Sequence, residues 1–252
     1  MSDASSKPWW KRESVIETAK SLGTIVGIVA FVQILLFQPF RIPSSSMEGS
    51  LEVGDYLFVT KFTYGYSVYS IPLIAPAQAS EDRILGGEAE RGDVVVFRLP
   101  SDPSQDYIKR VIGLPGDRIQ MIGGVLHING QPVKLEKIED RIEVREDGDE
   151  VPITRLRETL PNGVQHFILD REDGSRFDDT EEFVVPAGHY FMMGDNRDNS
   201  NDSRGDVGFV PAANLVGRAQ IIFFSHDGSA ALWEFWQWPF AIRYSRLLNL
   251  IY

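Results

Sequence analysis

The stretch LEVGDYLFVTKF, residues 51–62, reads as a β-strand entered through a Gly54-Asp55 turn. The same grammar recurs twice. Gly92-Asp93 precedes Val94-Val95-Val96-Phe97, and Gly116-Asp117 precedes Arg118-Ile119-Gln120-Met121. Residues 125–135 carry Asn129-Gly130, a hairpin signal. These strands and Gly turns predict a mostly β, antiparallel chain. Residues 63–90, with Pro72, Pro76, Gly86 and Gly87, read as a loop excursion between strands. Residues 136–182 hold 16 Asp or Glu against 7 Lys or Arg, a net of −9, and read as a smaller β subdomain or insertion.

Upstream of the strands the pattern changes. Residues 1–20 are polar, with Lys7, Lys11, Arg12 and Lys20 against Asp3, Glu13 and Glu17 and with Trp9 and Trp10 side by side; no charge follows until Arg41. Residues 21–40 would span roughly 30 Å as a helix, the thickness of a bilayer's hydrocarbon. A cleavable leader needs small residues after its apolar run, and Phe37-Gln38-Pro39-Phe40-Arg41 is bulky, so an uncleaved anchor is expected. More basic residues precede the anchor than the single Arg41 that follows it, which puts the N-terminus in the cytoplasm and the rest across the membrane. The 252 residues, 43% hydrophobic and 11% aromatic, suffice for one or two domains. A net charge of −11 argues against nucleic acid as a partner, and the absence of cysteine removes disulfides, thiolate zinc sites and cysteine nucleophiles.

Three polar stretches can carry chemistry. Pro43-Ser44-Ser45-Ser46-Met47 resembles a linker in its serines, yet it is framed by Phe40, Ile42, Met47, Leu51 and Val53, which a flexible linker does not need. In Asp106-Tyr107-Ile108-Lys109-Arg110-Val111-Ile112, strand alternation sends Lys109 and Arg110 to opposite faces. An apolar neighbourhood turns a lysine into a neutral base, which an arginine cannot become; away from a nucleophile the same lysine is a snorkelling edge residue. The third stretch, residues 193–204 (MGDNRDNSNDSR), fits a rigid polar loop pinned by its Asp and Arg residues, with a calcium loop as the alternative. There is no HExxH helix and no GxSxG elbow, and a Ser/His/Asp triad through His189 and Asp195 is the other catalytic scheme. A serine activated by a lysine is the economical choice.

The segments FRIPSSSMEGSLEVGD, RGDVVVF, DYIKRVIGLPGD and GDNRDNSNDSR, in this order behind an anchor, resemble bacterial type I signal peptidase, or leader peptidase. The resemblance implies a Ser/Lys-dyad serine endopeptidase with Ser46 as nucleophile and Lys109 as general base. It implies an oxyanion hole from the Ser44 side chain and the Ser46 amide, and Ser200 as the residue that orients the lysine. Arg110 would pair with Asp195, and Asp202 with Arg204. Phe40, Ile42, Met47, Leu51, Leu57, Tyr107 and Ile108 would line the substrate pockets. The implied organisation is a cytoplasmic segment 1–20, an anchor 21–40, a catalytic core of 41–120 and 187–252, and an acidic β-rich insertion 121–186. No cofactor and no metal are implied.

The chain departs from the family where Gly49-Ser50 stands in place of the usual Pro-Thr, which frees a turn, and in lacking the second membrane segment that many relatives have. Ser46 lies nine residues past Phe37, so an extended chain keeps it within about 30 Å of the apolar run. The implied site is at the bilayer surface on the extracytoplasmic side of a bacterial cytoplasmic membrane. The expected partners are signal peptides of secreted preproteins, cleaved after a small-x-small motif, together with the lipid bilayer and, by proximity, the secretion translocon. Residues 232–252 hold Trp233, Trp236 and Trp238, which suits either membrane contact or a buried terminal segment. The alternatives are a catalytically silent anchored domain that binds exported chains, and a related peptidase dedicated to one pilin-like substrate.

Overall fold

The computed structural model describes residues 13–67, 69, 83–144, 150–171, 174–230, 233–234 and 236–252. Helix α1 (Glu13–Leu35) leads into β1 (Phe37–Arg41), a 3-10 turn at Ser45–Met47 and β2 (Asp55–Thr60). Then follow β3 (Val94–Leu99), β4 (Asp102–Gly113), β5 (Arg118–Ile122), β6 (Val125–Ile128) and β7 (Gln131–Pro132). β8 (Lys134–Val144), β9 (Glu150–Thr159), β10 (Gln165–Asp170) and β11 (Phe183–Val184) come next. The chain closes with β12 (His189–Met193), β13 (Val210–Pro211), β14 (Leu215–Ser225) and the short α2 (Trp238–Ala241).

The repeated Gly-Asp signal has a structural basis. Gly54, Gly92 and Gly116 take φ values of 93, 98 and 88°, where a side chain would be strained. Each following aspartate folds back on its own turn: Asp55 accepts from the Glu52 amide at 2.8 Å, Asp93 from Glu90 at 3.0 Å and Asp117 from Leu114 at 2.6 Å. The turn satisfies itself and releases the chain as β2, β3 or β5. Asn129 and Gly130, both at positive φ, make the hairpin between β6 and β7.

Three antiparallel sheets result. The large one runs β1-β2-β14-β3-β4-β12-β13; the others run β10-β9-β8 and β11-β5-β6-β7. Residue 120, the expected edge of the insertion, falls inside β5, which belongs to the four-stranded sheet. Ile112, Phe191 and Met193 of the large sheet share one buried cluster with Ile119, Leu126, Ile128 and Val133.

The uncharged run 21–40 is not a single element. Helix ends at Leu35, and Phe37–Arg41 pairs with β2 from Phe37↔Thr60 to Arg41↔Tyr56. Pro39 removes an amide that a helix needs, while an edge strand tolerates it. The apolar helical span instead starts earlier, covering Val15–Leu35 with a mean hydropathy of 1.7 and none of it buried. So long an apolar stretch left exposed has no stable place in water, and its 21 residues reach across a bilayer's hydrocarbon. Residues 1–12, with Trp9 and Trp10, lie outside the described residues, as do Pro72 and Pro76 of the expected loop excursion.

Candidate active site

The serine run is held by its apolar neighbours. Ile42, Met47, Leu51 and Leu57 are at most 1% exposed and pack in one cluster under the large sheet. Between these anchors Ser44 is extended, with φ −132° and ψ 156°, and Ser45–Met47 makes one 3-10 turn closed by Glu48 N to Ser45 O at 2.9 Å. The turn carries Ser46 toward β4. There Lys109 Nζ donates to Ser46 Oγ at 2.7 Å and to the Ile108 carbonyl at 2.9 Å, bridging 63 residues of sequence. Ser44 Oγ lies 3.5 Å from Ser46 Oγ.

Lys109 is 3% exposed and forms no ion pair with any described carboxylate. Burial lowers its pKa to about 8, against a smaller opposing pull from Asp202 and Asp195. A neutral amine is therefore accessible near neutral pH, at hydrogen-bond distance from a hydroxyl. That is the geometry of a nucleophile beside its base.

The loop after β12 clamps the turn from the other side. Asn196 accepts nothing from the serines but donates twice, its amide to Ser46 O at 3.2 Å and its Nδ2 to Ser45 O at 3.0 Å; Asn199 Nδ2 reaches Ser45 Oγ at 2.9 Å. The loop is itself pinned. Asp202 receives Arg204 Nε at 3.0 Å and Nη2 at 2.8 Å, and also the Gly194 amide at 3.0 Å. A Cβ at Gly194 would stand 2.5 Å from the Ser46 carbonyl oxygen, so only glycine lets loop and turn meet. Behind them Arg110 donates to Asp195 at 2.9 and 2.7 Å. Strands β9 and β10 extend this pair with Glu158, bound twice by Arg197 at 2.9 and 2.6 Å, and with His166, whose Nε2 is 3.2 Å from Glu158 and 3.8 Å from Asp195. Burial would raise the Glu158 and Asp195 carboxyls; Arg197 and Arg110 outweigh it and hold both below their ordinary values.

Several expected placements differ. Among the described residues Ser200 Oγ is buried without a hydrogen-bond partner, Lys109 included; the lysine donates to Ser46 and to its own strand. Of the expected pocket residues only Tyr107 and Ile108 line the cleft at the dyad, a space of about 410 Å³ walled by Pro43–Ser46, by Asp106 and by Asn199 and Asn201. Ile42, Met47, Leu51 and Leu57 are buried in one core cluster and do not line the cleft, and Phe40 packs against that cluster. His189 contacts the Ala187 carbonyl at the outer end of β12, and Asp195 is committed to Arg110, so the two make no triad. Among the described residues no three His, Cys, Asp or Glu side chains gather as a metal site. Asn196 was not singled out in the sequence; only its position beside Asp195 in the polar loop pointed to it.

The family model for signal peptidase, peptidase S26, matches residues 15–224. The chain belongs to the peptidase S26 family. Signal peptidase I of Rickettsia typhi is 42% identical over 219 residues, covering 84% of this chain and 81% of that protein. Signal peptidase I of Rickettsia prowazekii is 43% identical over 211 residues, covering 81% and 78%. A crystal structure of a signal peptidase I from Enterococcus faecalis V583 aligns with 52% of this chain and 97% of its own at 26% identity and a TM-score of 0.32. As a peptidase S26 member the chain is a hydrolase, a serine endopeptidase, and its exposed apolar α1 makes it a membrane-anchored one.

Proposed function

We propose that this peptidase removes N-terminal signal peptides from exported preproteins by cleaving after a small-x-small motif, with Ser46 as nucleophile and Lys109 as general base. The observation that carries the reading is the 2.7 Å contact between a buried, uncompensated amine and a serine hydroxyl. Neutral Lys109 takes the Ser46 proton as Oγ attacks the peptide carbonyl, and the Ser46 amide and Ser44 hydroxyl receive the oxyanion. The lysine then protonates the leaving amine. Once neutral again, it activates the water that hydrolyses the acyl-enzyme. Asp195 with Arg110, and Asp202 with Arg204, keep the loop rigid against the turn, and Ser200, buried on that loop, is the group that orients the lysine when substrate is bound.

The substrate binds as an extended strand. β12 pairs with β4 only at Arg110, Val111 and Gly113, so the β4 edge at Tyr107–Lys109 faces the cleft with its main chain available. Alternate side chains of such a strand enter the protein, which puts specificity on two positions separated by one. Tyr107 and Ile108 meet them, and Ile108 packs against the cluster of Ile42, Met47, Leu51 and Leu57 as Phe40 does. With α1 in the cytoplasmic membrane and the N-terminus inside, the sheet lies on the extracytoplasmic surface, beside the translocon's exit. Trp233 and Trp236, 76% and 58% exposed, rest in the lipid headgroups.

The test is cleavage of a preprotein by the detergent-purified chain beside Ser46→Ala and Lys109→Ala. Junction cleavage by wild type, with loss in both folded variants, is expected. A wild type inert across lipid and pH conditions would turn the reading to an anchored binding domain; an active Lys109→Ala would remove the dyad.

A further inference from the structure

Behind the dyad, the last residues of the chain occupy a lane of the large sheet. β14 pairs with β3 only over Leu215–Arg218. Beyond that point residues 248–252 take over, with Leu248 N bonded to Ile222 O at 2.7 Å, Ile222 N to Asn249 O at 2.9 Å and Ile251 N to Gln220 O at 2.9 Å. Two holds fasten this tail. Ile251, 7% exposed, enters the cluster that contains Met47 and Leu51. The Tyr252 main-chain oxygen accepts from Arg110 Nη1 at 2.5 Å while the rest of the residue stays 67% exposed. Met47 follows Ser46 in the chain, and Arg110 follows Lys109.

We propose that residues 248–252 brace the Ser46 turn and the Lys109 strand at their working separation, with Ile251 as a positioning residue for the reaction. The inference rests on the Ser46 and Lys109 reading. Emptying the Ile251 site removes packing from the cluster that holds Met47 and Leu51, which loosens the turn and admits water toward the amine. The groups facing that amine are the Ser46 hydroxyl, Asp195 and Asp202 of the loop, and Tyr107 on its own strand. Ile251 contributes no charge among them, so a changed lysine titration reports the brace itself.

The experiment uses the full chain in detergent and two readouts: preprotein cleavage, and the pH dependence of Lys109 modification by an amine reagent, with Lys109→Ala as the blank. Ile251→Ala is expected to lose about 10- to 100-fold in kcat with KM near wild type, since small misplacements of reacting groups cost that much. Its Lys109 midpoint should rise from about 8 toward the ordinary lysine value, by roughly half a unit or more as burial is relieved. Ile251→Leu should restore both. Leu250→Ala, at a position 58% exposed, should change neither. If Ile251→Ala does not fold, Ile251→Val carries the same test with a smaller shift. A folded Ile251→Ala, or Ile251→Val where the alanine variant does not fold, with wild-type kcat and midpoint overturns the brace. An inert wild type whose lysine midpoint still moves with Ile251 counts against the peptidase mechanism and for the brace.

Discussion

Lys109 and Arg110 are neighbours on β4, both buried, and the protein treats them in opposite ways. Lys109 is bonded only to a hydroxyl and a carbonyl, whereas Arg110 meets both oxygens of Asp195 and three further acceptors, Gly92 O, Ser50 Oγ and Tyr252 O. Burial without a counter-charge pushes an amine toward neutrality and so makes a base. Burial of a guanidinium cannot do that, because it does not release its proton; it must be paired, and once paired it becomes a fastener. In the proposed mechanism one strand thus supplies reactivity on one face and rigidity on the other.

The largest effect that tests this contrast is Lys109→Met. Cleavage should fall by about 10²- to 10⁴-fold, the usual weight of a general base, yet the protein should become more stable. Because the amine's pKa drops from 10.5 to about 8 on folding, the unfolded chain binds more protons between those values, and wild-type stability should climb with pH across that window. Below it the full penalty stands, about 3 kcal/mol, and the methionine variant should escape it. Denaturant unfolding at pH 7 and pH 10 reads both quantities; a destabilised Lys109→Met would break the comparison.

On the other face, Asp195→Ala strands a buried guanidinium and should cost about 3 kcal/mol in the same unfolding assay. An unchanged midpoint would mean that Arg110 is not held by charge. The pH profiles sharpen the contrast further. Cleavage should rise with pH through about 8 as Lys109 becomes neutral. Asp195 and Glu158 carry depressed carboxyl values, so their stabilisation is present above the ordinary carboxyl range and is lost as pH falls below about 4, to be followed by acid unfolding. Ser200→Ala is the smallest change: it removes a buried hydroxyl without a partner and should gain up to about 1 kcal/mol in stability. A loss there would show that the hydroxyl is bonded in solution.

The anchor, the β class, the Gly-Asp turns and the Asn-Gly hairpin were determined by the sequence itself, because each depends on neighbours within a few residues: a run of apolar side chains, a left-handed glycine, an aspartate reaching back three positions. The chemistry of the dyad was legible only as residue types in a known order. What brought Ser46 to Lys109 was decided by the tertiary structure, through Met47 and Leu51 sunk in the core on one side and the Asn196 clamp on the other. The same holds for the helix that stops at Leu35, where pairing with β2 outweighs the apolar composition of residues 36–40. It also holds for Ile42, Met47, Leu51 and Leu57, which are buried in the core and do not line the cleft. Apolar character states that a side chain will be buried; whether it forms a pocket wall or lies within the core depends on which distant strand covers it.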